Sequence, residues 1–305
     1  MSTISNPHDK FFKESFSRLE LVQGFIEEVF PADIKNKINL NSLQLTNASF
    51  TDAYLSEHFA DLVYQAEFGD KDVLITILFE HKSFLEDFPQ KQLLRYMTNI
   101  WIEEEKQDGK PFMVIPVVIY HGKSNWKKYP MKHYFDNPPE ELLRFLPDFD
   151  YLLFSLNSFE DYQIANFKNT FLSMATMLLK HSRDEKEQFL QLENFWVEKL
   201  KALDELHAED FIRSVFIYID NGISLTRTDL IIIFTKISTT VTNIAMTIAE
   251  EIRIEERQIT TENTIFNHIK GLWKKGIQAD FIADAFALPL QKVEEIIQKI
   301  KASEN

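Results

Sequence analysis

Two apolar runs folded about a single turn signal constrain this 305-residue chain more than any other feature. Phe59 to Phe68 is rich in apolar and aromatic residues, Gly69-Asp70-Lys71-Asp72 carries turn chemistry, and Val73 to Phe79 is apolar and partly β-branched. That is the pattern of a β-hairpin. Pairing Phe68 with Val73 across the turn carries Asp61 directly opposite Glu80. Opposed residues on antiparallel strands share a face, with Cβ atoms about 4.5–5.5 Å apart. Lys82, two residues on, returns to that face. The hairpin therefore gathers Asp61, Glu80 and Lys82 at one rim. Opposed carboxylates repel unless a cation sits between them. A hard divalent ion is the natural occupant, because Mg²⁺ takes one or two carboxylates together with waters and phosphate oxygens. The competing reading is an exposed hairpin end with a surface ion pair worth about 0–1 kcal/mol.

Composition narrows the ligand chemistry. The chain has no Cys, which excludes disulfides and thiolate metal sites and leaves carboxylate, His and carbonyl ligands. This suits a reducing cytoplasm, where we expect the protein to act. Residues 1–10 lack the apolar run of a signal peptide, and no apolar stretch reaches about 18 residues without charge, so no membrane span is expected. The formal net charge of −14 argues against nucleic-acid binding over the whole surface. Screening limits each charge to about 8 Å in physiological salt, so a local basic groove remains compatible with an acidic bulk.

Read in order, the spacing predicts a helix from His8 to Phe30, a short strand at Leu43–Leu45, the hairpin, and a helix opened by Pro89 and carrying the stripe Leu93, Leu94, Met97, Ile100 and Trp101. Met113 to Tyr120 is nearly continuous apolar sequence, as in a strand buried on both faces, and Tyr151 to Leu156 reads as one more strand. The expected fold class is an α/β N-terminal domain, a mixed sheet flanked by helices, followed by a mostly α-helical region. A soft boundary near Ser158 divides residues 1–157 from 158–305. Helical segments are expected at Phe159–His181, Glu185–Leu203, Glu209–Ile219, Asp229–Ile237, Thr240–Arg257 and Thr264–Lys275. Gly276 to Ile300 has the spacing of a helix-turn-helix-like unit. Its second helix carries Glu294 and Glu295, which face phosphates poorly, so packing or dimerisation suits it better than reading DNA.

Several strings carry a resemblance. They are His8-Asp9-Lys10-Phe11-Phe12-Lys13, Phe79-Glu80-His81-Lys82-Ser83, Gln92-Leu93-Leu94-Arg95-Tyr96-Met97 and Val118-Ile119-Tyr120-His121-Gly122. With Asp61 and Glu80-His81-Lys82 on a hairpin behind a leading helix, the chain resembles the PD-(D/E)XK nuclease superfamily. Within it, the chain resembles the Rpn recombination-promoting nucleases, also described as YhgA-like transposases. The resemblance is strongest over residues 7–130. It implies a metal-dependent DNA endonuclease associated with recombination or mobile elements. Asp61 and Glu80 would hold Mg²⁺, or Mn²⁺ in its place, the main-chain carbonyl of His81 would complete the shell, and Lys82 would orient or deprotonate the attacking water. Gln92 stands where many relatives have Arg. It would hydrogen-bond the water or phosphate, or cap the sheet edge.

Arg95 and the stretch Lys123, Lys127, Lys128, Lys132 and His133, interleaved with Trp126 and Tyr129, are the candidate contacts to DNA. Basic side chains among aromatics suit a phosphate backbone with a base or sugar edge, and an ordinary solvated loop reads equally well. Glu14 is a second carboxylate candidate or a solvated helical face, and Asp9 a helix cap. His58, His181, His207 and His268 show no ligand spacing. Tyr120 and His121 line the cleft or simply end a strand. Cutting both strands of DNA calls for two sites, hence an expected homodimer. The alternative is a catalytically weak DNA-binding or protein-interaction scaffold that keeps the nuclease fold.

Overall fold

The computed structural model describes residues 6–46, 62–69, 74–106 and 111–302. Asp61, His58, the turn residues Asp70 to Asp72, and Gly109-Lys110 lie outside them.

A five-stranded mixed sheet in the order β1-β2-β3-β4-β5 organises the N-terminal part. β2 (Leu62–Glu67) runs antiparallel to both of its neighbours, β1 (Gln44–Leu45) and β3 (Leu74–Lys82), whereas β3, β4 (Met113–Tyr120) and β5 (Leu152–Ser155) run parallel to one another. The β2–β3 register pairs Leu62 with Phe79 and Glu67 with Leu74, the register read from pairing Phe68 with Val73. Gly69 has φ 76° and donates its N–H to the Lys37 carbonyl at 2.7 Å. A glycine there opens the hairpin turn without a Cβ clash.

Alternation assigns the two faces of the sheet. Val63, Val118 and Leu153 meet α4 (Gln90–Lys106) through Leu93, Tyr96, Met97 and Ile100. α4 is also the crossover that makes β4 parallel to β3. On the opposite face lie Tyr64, Phe79, His81 and Phe154, packed against Phe12, Phe16, Phe25 and Phe30. Six of these rings, Phe12, Phe16, Phe25, Phe30, Tyr64 and Phe79, are buried, a large apolar contribution of roughly 1.5–3 kcal/mol each relative to exposure. The Tyr64 hydroxyl keeps its hydrogen bond by donating to the Phe16 carbonyl at 2.6 Å.

The leading helix is two helices, not one: α1 (Pro7–Phe16) and α2 (Leu19–Val29). The Ser17 hydroxyl donates to the Lys13 carbonyl at 2.5 Å, and Arg18 is extended (φ −84°, ψ 118°). The bend lets Phe16 and Phe25 both reach Phe79. A short α3 (Ala32–Lys35) leads to β1.

After β5 the chain is helical: α5 (Asp161–Ala165), α6 (Thr170–Lys180), α7 (Lys186–Gln191), α8 (Glu193–Glu205), α9 (Glu209–Gly222) and α10 (Arg227–Thr235). The expected helix 159–181 is interrupted where Asn169 caps α6, accepting from Leu172 N–H at 2.8 Å. The change of character near Ser158 marks the end of the sheet, and the helices beyond it pack back on the start of the chain. α1 lies against α9, and α2 against α6. The compact unit containing the sheet accordingly runs to Ala245, and a second begins at Met246.

Two helices expected at 240–257 and 264–275 are one, α11 (Thr239–Lys274). No Pro lies between them and Gly271 is the first Gly, so nothing in the backbone chemistry stops it. In the second unit, α12 (Ala279–Phe286) and α13 (Leu290–Ala302) bury Ile282, Val293, Ile297 and Ile300 with Ile269. The helix-turn-helix shape is present, with Ala287 in the left-handed region between the helices. Phe281 is 67% exposed rather than part of that core.

Candidate active site

Glu80 and Lys82 leave the end of β3 on its α4 face, and the first turn of α4 carries Gln92 to the same place. Lys82 Nζ lies 3.1 Å from Glu80 Oε1 and 2.9 Å from Glu86 Oε2, and donates to Gln92 Oε1 at 2.5 Å. The Gln92 amide donates through Nε2 to Glu80 Oε1 at 2.8 Å and to the Tyr96 hydroxyl at 2.5 Å. Glu80 and Lys82 are 5% and 8% exposed, so these are buried charges that need one another. Burial opposes the charge on Lys82. The carboxylates of Glu80 and Glu86 outweigh it and hold the lysine pKa above its ordinary value. In this arrangement Lys82 is an ammonium that donates, not a base that accepts.

Three expected site residues, Glu80, Lys82 and Gln92, are thus brought together. Gln92 bridges the other two instead of capping the sheet edge. Asp61 lies outside the described residues. The His81 side chain points to the opposite face, where it stacks between Phe12 (4.6 Å) and His121 (4.7 Å). Its main chain is a different matter. Lys82 spends its carbonyl on the N–H of His121, the residue after β4, at 3.1 Å. Backbone groups alternate sides along a strand, so the His81 carbonyl turns toward the β2 side.

The basic candidates are dispersed. Arg95 is exposed, its guanidinium 5.7 Å from the Tyr96 ring centre, next to the site. Lys127 is exposed. Lys123 donates to the Arg183 carbonyl at 2.9 Å and lies 3.7 Å from Asp184. Lys128 pairs with Asp150, donates to the Tyr151 carbonyl at 2.7 Å and sits over the Tyr151 ring. That hydrogen bond from Lys128 holds the Asp150 carboxyl below its usual range. Glu14 pairs with Arg18 and Ser214, away from Glu80 in its contacts.

Sequence reasoning missed Glu86 and Tyr96, each four residues beyond a recognised partner and so readable from helical or turn spacing. It also missed a histidine row behind the site. His8, His81 and His121, one from each of three quoted strings, lie in sequence, His8 5.2 Å and His81 4.7 Å from His121. His8 Nδ1 is 2.9 Å from the Tyr218 hydroxyl, and His121 Nδ1 is 3.2 Å from both the Leu179 carbonyl and Ser182 Oγ. Burial lowers the pKa of all three, His121 to about 3, so they are neutral rings that tie β3 and β4 to α1, α6 and α9.

Donor chemistry at the rim is all oxygen: the Glu80 carboxylate and the carbonyl of His81. That set fits a hard divalent ion, which needs few protein ligands. Among the described residues no group of three His, Asp or Glu side chains could hold a metal ion. Any such site therefore draws on main-chain oxygen, water, or residues beyond those described.

The family profile described as "Putative transposase, YhgA-like" matches residues 6–210, more than half of the chain. The chain belongs to this YhgA-like family. Glu80, Lys82, Glu86, Gln92 and Tyr96 all fall within the matched span. Among curated relatives, this family member is 28% identical over 186 residues to the inactive recombination-promoting nuclease-like protein RpnE of Escherichia coli (strain K12), covering 60% of this chain and 61% of that one. It is 32% identical over 123 residues to the recombination-promoting nuclease RpnD of Escherichia coli O157:H7 (39% and 47%). It is 25% identical over 194 residues to the recombination-promoting nuclease RpnC of strain K12 (62% of each). The chain thus spans between 47% and 62% of the length of these relatives. No solved structure matches. No helix among the described residues is long and apolar enough to cross a membrane.

Proposed function

We propose that this YhgA-like protein is a divalent-metal-dependent DNA endonuclease acting in recombination or mobile-element biology. The observation that carries the reading is the buried Glu80–Lys82–Gln92 cluster where β3 ends and α4 begins. Relatives named recombination-promoting nucleases support it.

Glu80, the main-chain carbonyl of His81 and Asp61, the residue before β2, would hold Mg²⁺ or Mn²⁺. When bound, the ion supplies Lewis-acid stabilisation of charge on the phosphate. The chain's own residues do the rest. Lys82, kept cationic by Glu80 and Glu86, donates to the developing negative charge or orients the water attacking in line. Gln92 fixes both ends of that pair, so neither side chain must reorganise during reaction. The first turn of α4 presents its partially positive end at the same rim, which favours a phosphate. Arg95 and Lys127, exposed, are the cations we assign to the DNA backbone. Lys123 and Lys128 contribute only by exchanging their protein partners. A homodimer would supply the second site for the second strand.

One observation favours a second reading. Glu80 Oε1 already accepts from Gln92 and pairs with Lys82, a network that also suits a nuclease scaffold without catalysis, and two relatives are named inactive. Plasmid cleavage separates the two. The nuclease reading expects nicking or linearisation with Mg²⁺, none with EDTA, and loss in Lys82→Ala and Asp61→Ala. Cleavage surviving both substitutions would sink the mechanism. No cleavage by the parent chain across salt and metal conditions would favour the scaffold.

A further inference from the structure

The segment between β3 and α4 holds two large apolar side chains in water beside the site. Phe84 is 63% exposed and Leu85 is 45% exposed. Single exposed apolar residues are ordinary. These two are consecutive, and the chain on either side of them is tied down. The Ser83 carbonyl accepts from Arg183 Nη2 at 2.6 Å, and the Glu86 carboxylate lies 2.9 Å from Lys82 Nζ. Four residues after Phe84, the ring of Phe88 packs, its centre 5.2 Å from that of Tyr134 and 6.4 Å from that of Tyr129. The same segment thus packs one phenylalanine and presents another outward.

A direct contact joins Phe84 to the site. Its ring centre lies 5.8 Å from Lys82 Nζ, within the range of a cation–π contact. Lys82 is the ammonium assigned to the developing charge on the phosphate. A phosphate hydrogen-bonded to that Nζ places its own nucleotide against the ring. The segment's charges say which part of the nucleotide fits. Asp87 is exposed and the Glu86 side chain 30% exposed, so a second phosphate is repelled and the uncharged base is not. Phe and Leu are among the side chains that enter a base step and part it, and an open ring takes the flat face of a base.

We propose that Phe84, with Leu85 beside it, is a wedge that enters the base stack next to the phosphate held at the Glu80–Lys82 rim. The proposal rests on the nuclease reading and deepens it by naming the substrate: DNA that is mismatched or otherwise weakly stacked at the step to be cut. Unstacking is costly at a well-paired step and cheapest at a mismatch, so the wedge selects the latter. Anchored through Ser83 and Glu86, the segment gives up little freedom when the ring inserts.

The test is fluorescence anisotropy of the full chain in EDTA, where the nuclease reading expects no cleavage, with two labelled duplexes that differ in one central mismatch. We expect the mismatched duplex to bind roughly tenfold more tightly, the range of one base–aromatic stack. Phe84→Ala, an exposed position away from the core, should bring the two duplexes level. Phe84→Trp should keep the difference. Phe145→Ala removes a similarly exposed ring (69%) between β4 and β5 and should change nothing. Equal binding of the two duplexes by the parent chain, binding of neither, or an unchanged Phe84→Ala would overturn the proposal, as would a Phe145→Ala that behaves like Phe84→Ala. So would a Phe84→Ala that halves the mass in sedimentation and leaves DNA binding as it was, the mark of a ring seated on a second copy. Mismatch preference without plasmid cleavage would remove the nuclease reading and leave the wedge. Cleavage without the preference would do the reverse.

Discussion

Replacing Lys82 by Met tests the burial of the site's charge pair. The side chains of Lys82 and Glu80 are 9% and 6% exposed, and that of Glu86 is 30% exposed. Removing the lysine leaves Glu80 as a buried carboxylate whose remaining donor is the Gln92 amide, among the contacts described above. Breaking one side of a buried pair costs about 3–5 kcal/mol. Protonating a carboxyl instead sets a ceiling: about 1.4 kcal/mol for each pH unit above an ordinary value near 4.3, or about 3.7 kcal/mol at pH 7. The expected loss is therefore about 3–4 kcal/mol at pH 7, shrinking to about 1 kcal/mol at pH 5. For a unit of this size the neutral-pH loss corresponds to a drop in Tm of roughly 6–16 °C. The assay is urea unfolding followed by circular dichroism in EDTA at both pH values. The double variant Glu80→Gln with Lys82→Met should recover most of the loss, because the stranded charge is gone and a methionine fills the lysine's volume. A penalty below about 1 kcal/mol at pH 7, the range of exposed pairs, would refute the reasoning, as would a double variant no better than Lys82→Met.

Gly24→Ala places a Cβ 2.7 Å from Cβ of Asn169, which caps α6 and donates to the Glu20 carbonyl; a loss of about 1–3 kcal/mol in the urea midpoint is expected. His121 gives an acid dependence. Burial holds its pKa near 3 in the fold against about 6.5 unfolded, so the unfolded chain takes up the proton first. Stability is full above pH 6.5 and falls toward pH 3 by up to about 1.4 kcal/mol per unit; His121→Gln should flatten that limb relative to the parent. Asp161 works with the same sign through its ion pairs. Its pKa is lowered, the Lys180 and His181 contacts outweighing burial, so its contribution is present above the ordinary carboxylate range and lost below it. Asp161→Asn should lower Tm at pH 7, and by progressively less as the pH falls below the ordinary carboxylate range.

Local chemistry made the sheet and half of the site readable in advance. The turn residues after Phe68 set the β2–β3 register, and the period of two then put Glu80 and Lys82 on one face and His81 on the other. Gln92 was readable as a neighbour from the strings around it. Its bridging role was not, because that depends on how α4 docks. The interruptions at Ser17-Arg18 and Asn169 carry no Pro or Gly. They exist because Phe16, Phe25 and the α6 cap find better partners across the fold than a continuous helix allows. Lys128 looked like a free cation because its partner Asp150 lies 22 residues away, and the row of His8, His81 and His121 spans even greater separations. Contacts of that range follow from tertiary packing and leave no periodic trace.

The central claim is that the Glu80–Lys82–Gln92 rim hydrolyses DNA. It is tested most directly by the single-turnover cleavage rate of supercoiled plasmid in Mg²⁺, parent chain against Glu80→Gln, with folding of the variant checked by circular dichroism. The account predicts a parent rate abolished by EDTA and a folded variant slower by about a hundredfold or more, the scale on which removing a group that stabilises the transition state acts. A folded Glu80→Gln that cleaves at the parent rate would contradict it.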